Sequence, residues 1–105
     1  MRQFRPVELA AHLQAGHAPQ LLDVREPWEW NLCRIPGAIL IPMRDLPVRL
    51  QELNKKAETV VICHHGVRSY QAARYLESLG FGDVINLSGG VAAWADEVDP
   101  AMPRY

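Results

Sequence analysis

The stretch Thr59-Val60-Val61-Ile62-Cys63-His64-His65-Gly66-Val67-Arg68-Ser69 carries the strongest fold signal in this chain. Its first four residues are β-branched, which is typical of a buried central strand. From residue 69 to residue 79 the apolar residues recur at helical spacing, and Gly80 follows as a natural cap. The stretch therefore predicts a strand, a tight loop and a helix in direct succession.

The same alternation of short apolar runs and helical segments continues on both sides of this stretch. It predicts further strands over residues 21–24, 38–41 and 84–87, and helices over residues 6–16, 26–32, 46–53 and 90–98. Pro100 and Pro103 predict a frayed tail. We therefore expect an α/β fold with a mainly parallel sheet flanked by helices on both faces. In such sheets ligands bind beyond the carboxyl ends of the strands, where the loop after Ile62 lies.

Composition restricts the classes of function. The length of 105 residues fits one domain spanning residues 1–105, and the 49% hydrophobic content is that of an ordinary globular protein. A net charge of −1 does not indicate binding to nucleic acid or to an acidic membrane. No apolar run approaches the roughly 20 residues of a membrane helix, and the N-terminal residues lack the apolar core of a secretory signal. We therefore expect a cytoplasmic protein.

The two cysteines, Cys33 and Cys63, are too few for a disulfide framework or for a four-thiolate zinc site. Cys63 differs from Cys33 because it begins the loop between the predicted central strand and its helix. A loop of this length can curl so that several backbone N–H groups face one point, which favours an anion there. Cys63 is therefore the candidate catalytic nucleophile, in its thiolate form.

The rest of the loop supplies the candidate substrate-binding residues: His64, His65, Gly66, Val67, Arg68 and Ser69. Gly66 permits the tight curvature that a ring of N–H groups requires. Arg68 adds positive charge near the sulfur. The two histidines are expected to shape the loop and supply backbone donors. Zinc binding by Cys63, His64 and His65 is disfavoured because adjacent residues rarely converge on one metal, so no metal site is predicted.

Four segments together resemble the motifs of the rhodanese family. The loop from Cys63 to Ser69 is similar to the family's active-site loop, commonly Cys-x-x-Gly-x-Arg-Ser. Residues 21–26 resemble its first strand and turn, residues 35–38 its Pro-Gly-Ala segment, and residues 87–94 its Gly-Gly-x-x-x-Trp ending. The likeness runs from about Phe4 to about Ala95. One departure is Cys33-Arg34, which stands where the family often has Gly-His.

This resemblance implies a single-domain thiosulfate sulfurtransferase that carries sulfur as a persulfide on Cys63. The implied partners are a small-molecule sulfur donor such as thiosulfate and a thiol or cyanide acceptor, with a sulfur-relay protein as a further candidate. No cofactor is implied, because the protein supplies the nucleophile itself. The resemblance assigns no thiol role to Cys33, and a role as a resolving thiol stays open.

Two other functions remain as alternatives. Rhodanese-like domains also serve as non-catalytic binding modules, but those have often lost the cysteine that this chain retains. Related cysteine-dependent phosphatases place five residues between the cysteine and the arginine, whereas four lie between Cys63 and Arg68.

Outside the loop, Asp23 and Arg25 are expected either to line the pocket or to form a structural ion pair. Gly89-Gly90 is expected to form a tight turn.

Overall fold

The computed structural model describes residues 1–105 as a five-stranded sheet with helices packed on both faces. The strands are β1 (Arg2–Phe4), β2 (Gln20–Asp23), β3 (Ile39–Leu40), β4 (Thr59–Ile62) and β5 (Val84–Leu87). They lie in the order β1-β5-β4-β2-β3, and every neighbouring pair is parallel. The α-helices are α1 (Pro6–Gln14), α2 (Pro27–Leu32), α3 (Val67–Ser78) and α4 (Gly90–Glu97). The predicted fold class is confirmed.

The β-branched strand β4 lies at the centre of the sheet, with all four residues buried. Its side chains alternate between the two faces, as the period of a strand requires. Val60 and Ile62 belong to a cluster of 12 buried residues that includes Leu9 of α1 and Trp94 of α4. Val61 belongs to a second cluster of 12, which includes Ala72, Ala73 and Leu76 of α3. Burial on both faces explains why this strand is an uninterrupted apolar run.

The parallel register brings the carboxyl ends of three strands to one edge of the sheet. Asp23 at the end of β2 pairs with Ile62 at the end of β4, and Val61 pairs with Asn86 in β5. Cys63 follows β4 directly, so it lies at the edge where the topology places ligand sites. None of the helices has the length and apolar character needed to cross a membrane.

Two local features of the structure differ from what the sequence predicts. Residues 46–53, predicted as one α-helix, form parts of two 3₁₀ helices, Met43–Val48 and Leu50–Glu52. Pro47 lies inside the first of these and has no N–H for an α-helical hydrogen bond. The short edge strand β1 was not predicted, because its three residues carry no apolar alternation.

The prediction of a frayed tail is also wrong. Met102 is only 6% exposed and belongs to the core cluster that contains Trp94. Tyr105 makes hydrogen bonds to two buried charged side chains next to the Cys63 loop. The prolines of the tail prevent a helix but do not prevent tertiary packing, and the packing of Met102 and Tyr105 orders the segment.

Candidate active site

The Cys63 sulfur lies inside a cradle of backbone N–H groups. The residue is 1% exposed, and its Sγ accepts hydrogen bonds from the N–H of Gly66 at 3.1 Å and of Ser69 at 3.3 Å. Gly66 has a φ of +97°, a left-handed conformation that glycine adopts readily. Helix α3 begins at the next residue, so its positive N-terminus lies beside the sulfur. This arrangement favours negative charge on Sγ.

Helix α4 holds the opposite side of the loop. The N–H of Val91 donates to the Cys63 carbonyl at 2.9 Å, and the N–H of Ala92 donates to the His64 carbonyl at 3.0 Å. The backbones approach most closely at Gly90, where an added Cβ would lie 2.3 Å from the Cys63 carbonyl oxygen. The Gly89-Gly90 pair of the sequence therefore does more than form a turn: Gly90 lets the first turn of α4 hold the loop in place.

A buried chain of polar side chains continues from the sulfur into the sheet. The Cys63 thiol donates to Ser69 Oγ at 3.2 Å, and the Ser69 hydroxyl donates to Asn86 Oδ1 at 2.5 Å. Asn86 Nδ2 in turn donates to the Gly66 carbonyl at 3.2 Å and to Gln3 Oε1 at 2.9 Å. Sequence reasoning missed Asn86, although it is the one polar residue in the apolar strand 84–87.

Arg68 lies against a carboxylate of helix α2. Its two terminal nitrogens donate to both carboxylate oxygens of Glu29, at 2.7 and 2.8 Å. The Glu29 carboxylate also accepts from the Glu26 N–H at 3.0 Å and from the Tyr105 hydroxyl at 2.7 Å. Burial alone would raise the pKa of Glu29, but these hydrogen bonds, above all those from Arg68, outweigh burial and lower its pKa to about 2. Glu29 is therefore ionised at neutral pH.

A second ion pair is fully buried and shares the Tyr105 hydroxyl with the first. The Arg25 guanidinium donates to both carboxylate oxygens of Asp23, with the closest contact at 2.8 Å. It also donates to the Cys33 carbonyl at 2.7 Å and to the Tyr105 hydroxyl at 2.8 Å. Of the two roles predicted for Asp23 and Arg25, the structure shows the ion pair. The Cys33 sulfur lies 3.9 Å from the Arg25 guanidinium, and Cys33 and Cys63 form no disulfide.

Comparisons with known proteins identify the family of this chain. The family sequence model of the rhodanese-like domain matches residues 5–97. The chain belongs to the rhodanese-like domain family. It is 45% identical over 75 residues to a sulfurtransferase of Allochromatium vinosum, covering 71% of this chain and 70% of that protein. The crystal structure of a rhodanese-like domain protein from Staphylococcus aureus superposes with a TM-score of 0.85 at 38% identity, covering 93% of this chain and 95% of that one.

Rhodanese-like domains also occur within longer relatives. The probable adenylyltransferase/sulfurtransferase MoeZ of Mycobacterium tuberculosis is 38% identical over 102 residues, which is 95% of this chain but 26% of that protein. The named relatives thus support sulfurtransferase chemistry in general, in proteins of different length.

Tyr105 and His64 cover one side of the mouth of this rhodanese-like site. Their rings stack with centroids 3.8 Å apart and planes 8° apart. Burial and, to a smaller extent, the neighbouring His65 lower the pKa of His64 below its ordinary value of 6.5, so this histidine is neutral at pH 7. Clefts of about 130 and 320 Å³ flank the loop, the first lined by His64 and Tyr105 and the second by His65 and Val67. Cys63 lines neither cleft.

The predicted loop residues differ in their contact with the sulfur. Gly66 and Ser69 meet the sulfur directly, whereas the side chains of His65 and Val67 are exposed. The sequence did not identify Glu29 or Tyr105 as part of the site. Glu29 stands in a predicted helix with no visible partner, and Tyr105 stands in a segment predicted to be frayed, so local patterns gave no signal for either.

Proposed function

We propose that this protein is a thiosulfate sulfurtransferase that carries sulfane sulfur as a persulfide on Cys63. The observation that supports this most strongly is the pair of N–H groups of Gly66 and Ser69 directed at one buried sulfur. Four residues separate Cys63 from Arg68, so the cradle is small and suits a single added sulfur atom. The loop N–H groups then act as preorganised stabilisers of negative charge.

The reaction runs in two displacements. The Cys63 thiolate attacks the outer sulfur of thiosulfate, the sulfur–sulfur bond of thiosulfate breaks, and sulfite leaves with the bonding electron pair. Cys63 then carries a persulfide whose outer sulfur is negatively charged. An acceptor thiolate or cyanide attacks that outer sulfur, the persulfide bond breaks, and its electron pair returns to Cys63 as a thiolate. The cycle needs no cofactor.

The loop residues have distinct proposed roles in binding donor and acceptor. Gly66 and Ser69 supply the N–H groups, and the exposed side chains of His65 and Val67 border the mouth beside His64. Arg68 is engaged with Glu29 but its side chain remains 37% exposed, so its charge still faces an approaching anion. The thiosulfate donor is supported by a relative from Tolumonas auensis, 32% identical over 96 residues, that is named thiosulfate sulfurtransferase GlpE.

A protein partner that receives the sulfur is part of the proposal. A Bacillus subtilis relative, 40% identical over 79 residues, is named putative sulfur carrier protein YrkF. A thiol on such a carrier fits the acceptor half of the reaction. A cytoplasmic location fits this chemistry, because a reducing compartment keeps the Cys63 thiol free.

Mass spectrometry of the purified protein after thiosulfate treatment tests the proposal. We expect one added sulfur atom, mapped to Cys63 and removed by cyanide with release of thiocyanate. Cys33→Ser is the matched control, because it removes the other buried thiol, and it should load as the native protein does. Loading on Cys33 alone, or no loading on any residue, would overturn the proposal. Hydrolysis of a phosphate ester in place of sulfur loading would favour the phosphatase alternative.

A further inference from the structure

The orientation of the Asn86 side-chain amide follows from its partners. The Gly66 carbonyl can only accept a hydrogen bond, so the group 3.2 Å from it must be the amide nitrogen of Asn86. The amide oxygen then faces Ser69 Oγ at 2.5 Å. Because an amide oxygen can only accept, the Ser69 hydroxyl must be the donor. The single hydroxyl proton of Ser69 therefore points at Asn86 Oδ1.

This position of the proton decides what Ser69 offers to the sulfur. With the proton directed at Asn86, Ser69 Oγ presents a lone pair to Cys63 and accepts from the S–H group at 3.2 Å. Once the sulfur is negative, Ser69 has to turn its hydroxyl from Asn86 to the sulfur to become a donor. That turn leaves Asn86 Oδ1, in a residue only 2% exposed, without the donor it has in this structure.

We propose that Asn86 is a positioning residue that acts through Ser69 and competes with the Cys63 sulfur for the Ser69 hydroxyl proton. By holding that proton, Asn86 favours the neutral thiol and opposes the N–H groups of Gly66 and Ser69 and the N-terminus of α3, which favour the thiolate. The inference rests on the proposed function, in which Cys63 is the nucleophile. It adds a control on that nucleophile from a strand residue that does not touch the sulfur.

Alkylation of reduced Cys63 by iodoacetamide across pH tests this directly, in a Cys33→Ser background so that one thiol reacts. Asn86→Leu keeps a branched side chain but removes the acceptor, which frees the Ser69 hydroxyl to donate to the thiolate. A hydrogen bond to a charged group is strong enough to lower the midpoint of the alkylation profile by about one pH unit. Asn86→Ala should move the midpoint in the same direction without the larger leucine side chain.

Ser69→Ala provides the decisive comparison. With Asn86 intact, removing the hydroxyl should leave the midpoint unchanged or lower it, because the thiolate loses no donor and the thiol loses the acceptor of its S–H group. In the Ser69→Ala background, adding Asn86→Leu should no longer lower the midpoint. If Asn86 acted only by holding the Gly66 carbonyl, Asn86→Leu would shift the alkylation midpoint equally with and without the Ser69 hydroxyl. That result would overturn the inference.

The Ser69→Ala protein alone also decides the question, whether or not the Asn86 variants fold. A rise of about one pH unit or more in its midpoint would mean that the hydroxyl already donates to the thiolate in the native protein, contrary to the inference. Circular dichroism confirms the fold of each variant. Because iodoacetamide needs no sulfur donor, a protein that fails to load sulfur from thiosulfate but shows these shifts would refute the proposed function and leave the inference standing.

Discussion

Replacing Glu29 with glutamine removes the carboxylate that holds Arg68 and Tyr105 beside the Cys63 loop. Glu29 is 3% exposed, and its pKa falls from an ordinary value of 4.5 to about 2. At about 1.4 kcal/mol per pKa unit, this difference corresponds to about 3 kcal/mol of folding free energy at neutral pH. The Arg68 side chain is 37% exposed and partly screened by water, so we expect Glu29→Gln to destabilise by about 2–3 kcal/mol.

The pH dependence of this loss has a definite sign. The pKa of Glu29 is lower in the folded protein, at about 2, than in the unfolded chain. Its contribution is therefore fully present above the unfolded pKa and is lost as the pH falls towards the folded one. The difference in free energy of unfolding between the native protein and Glu29→Gln should have its full size at about pH 7. At about pH 3 it should be less than about half as large.

Urea unfolding followed by tryptophan fluorescence at the two pH values measures this gap. Glu52→Gln is the matched control, because Glu52 pairs with Arg49 at 2.7 Å on the surface and its removal should cause no measurable change. Two results would refute the reasoning. One is a Glu29→Gln protein as stable as Glu52→Gln at pH 7, and the other is a deficit that keeps its full size at pH 3.

Three further outcomes are expected. Cys63→Ser should abolish sulfur loading from thiosulfate and Cys33→Ser should retain most of it; a loaded Cys63→Ser protein would contradict the assignment of the nucleophile. Gly90→Ala should lower turnover at least about tenfold, because Gly90 has a positive φ and the new Cβ would clash with the carbonyl oxygens of the loop. Gly82→Ala is the control, because an added Cβ there has no atom within 4 Å. Equal turnover of the two variants would refute the argument. Tyr105→Phe should lower stability by about 1–2 kcal/mol, since its hydroxyl bonds two buried charged side chains; an unchanged melting temperature would show that these bonds contribute nothing.

The sequence alone predicted the layered α/β architecture and the position of the loop. Both are consequences of local pattern: β-branched residues over 59–62 and helical spacing after residue 69 place Cys63 between a buried strand and a helix. The observed helix begins earlier, at Val67, because Gly66 adopts a positive φ that lets the loop turn directly into it. The roles assigned to the loop side chains stay predictions, since no ligand contact tests them.

The partners of the loop were decided only by tertiary structure. Arg68 meets Glu29 39 positions away along the chain, and Tyr105 meets Glu29 across 76 positions. Asn86 reaches Ser69 because β4 and β5 pair in a parallel register beneath α3. Local composition specifies which segments are strands and helices, but it does not specify which side chains meet when those segments pack. Burial of both sheet faces fixes that packing, and with it the charges and hydrogen bonds around the Cys63 sulfur.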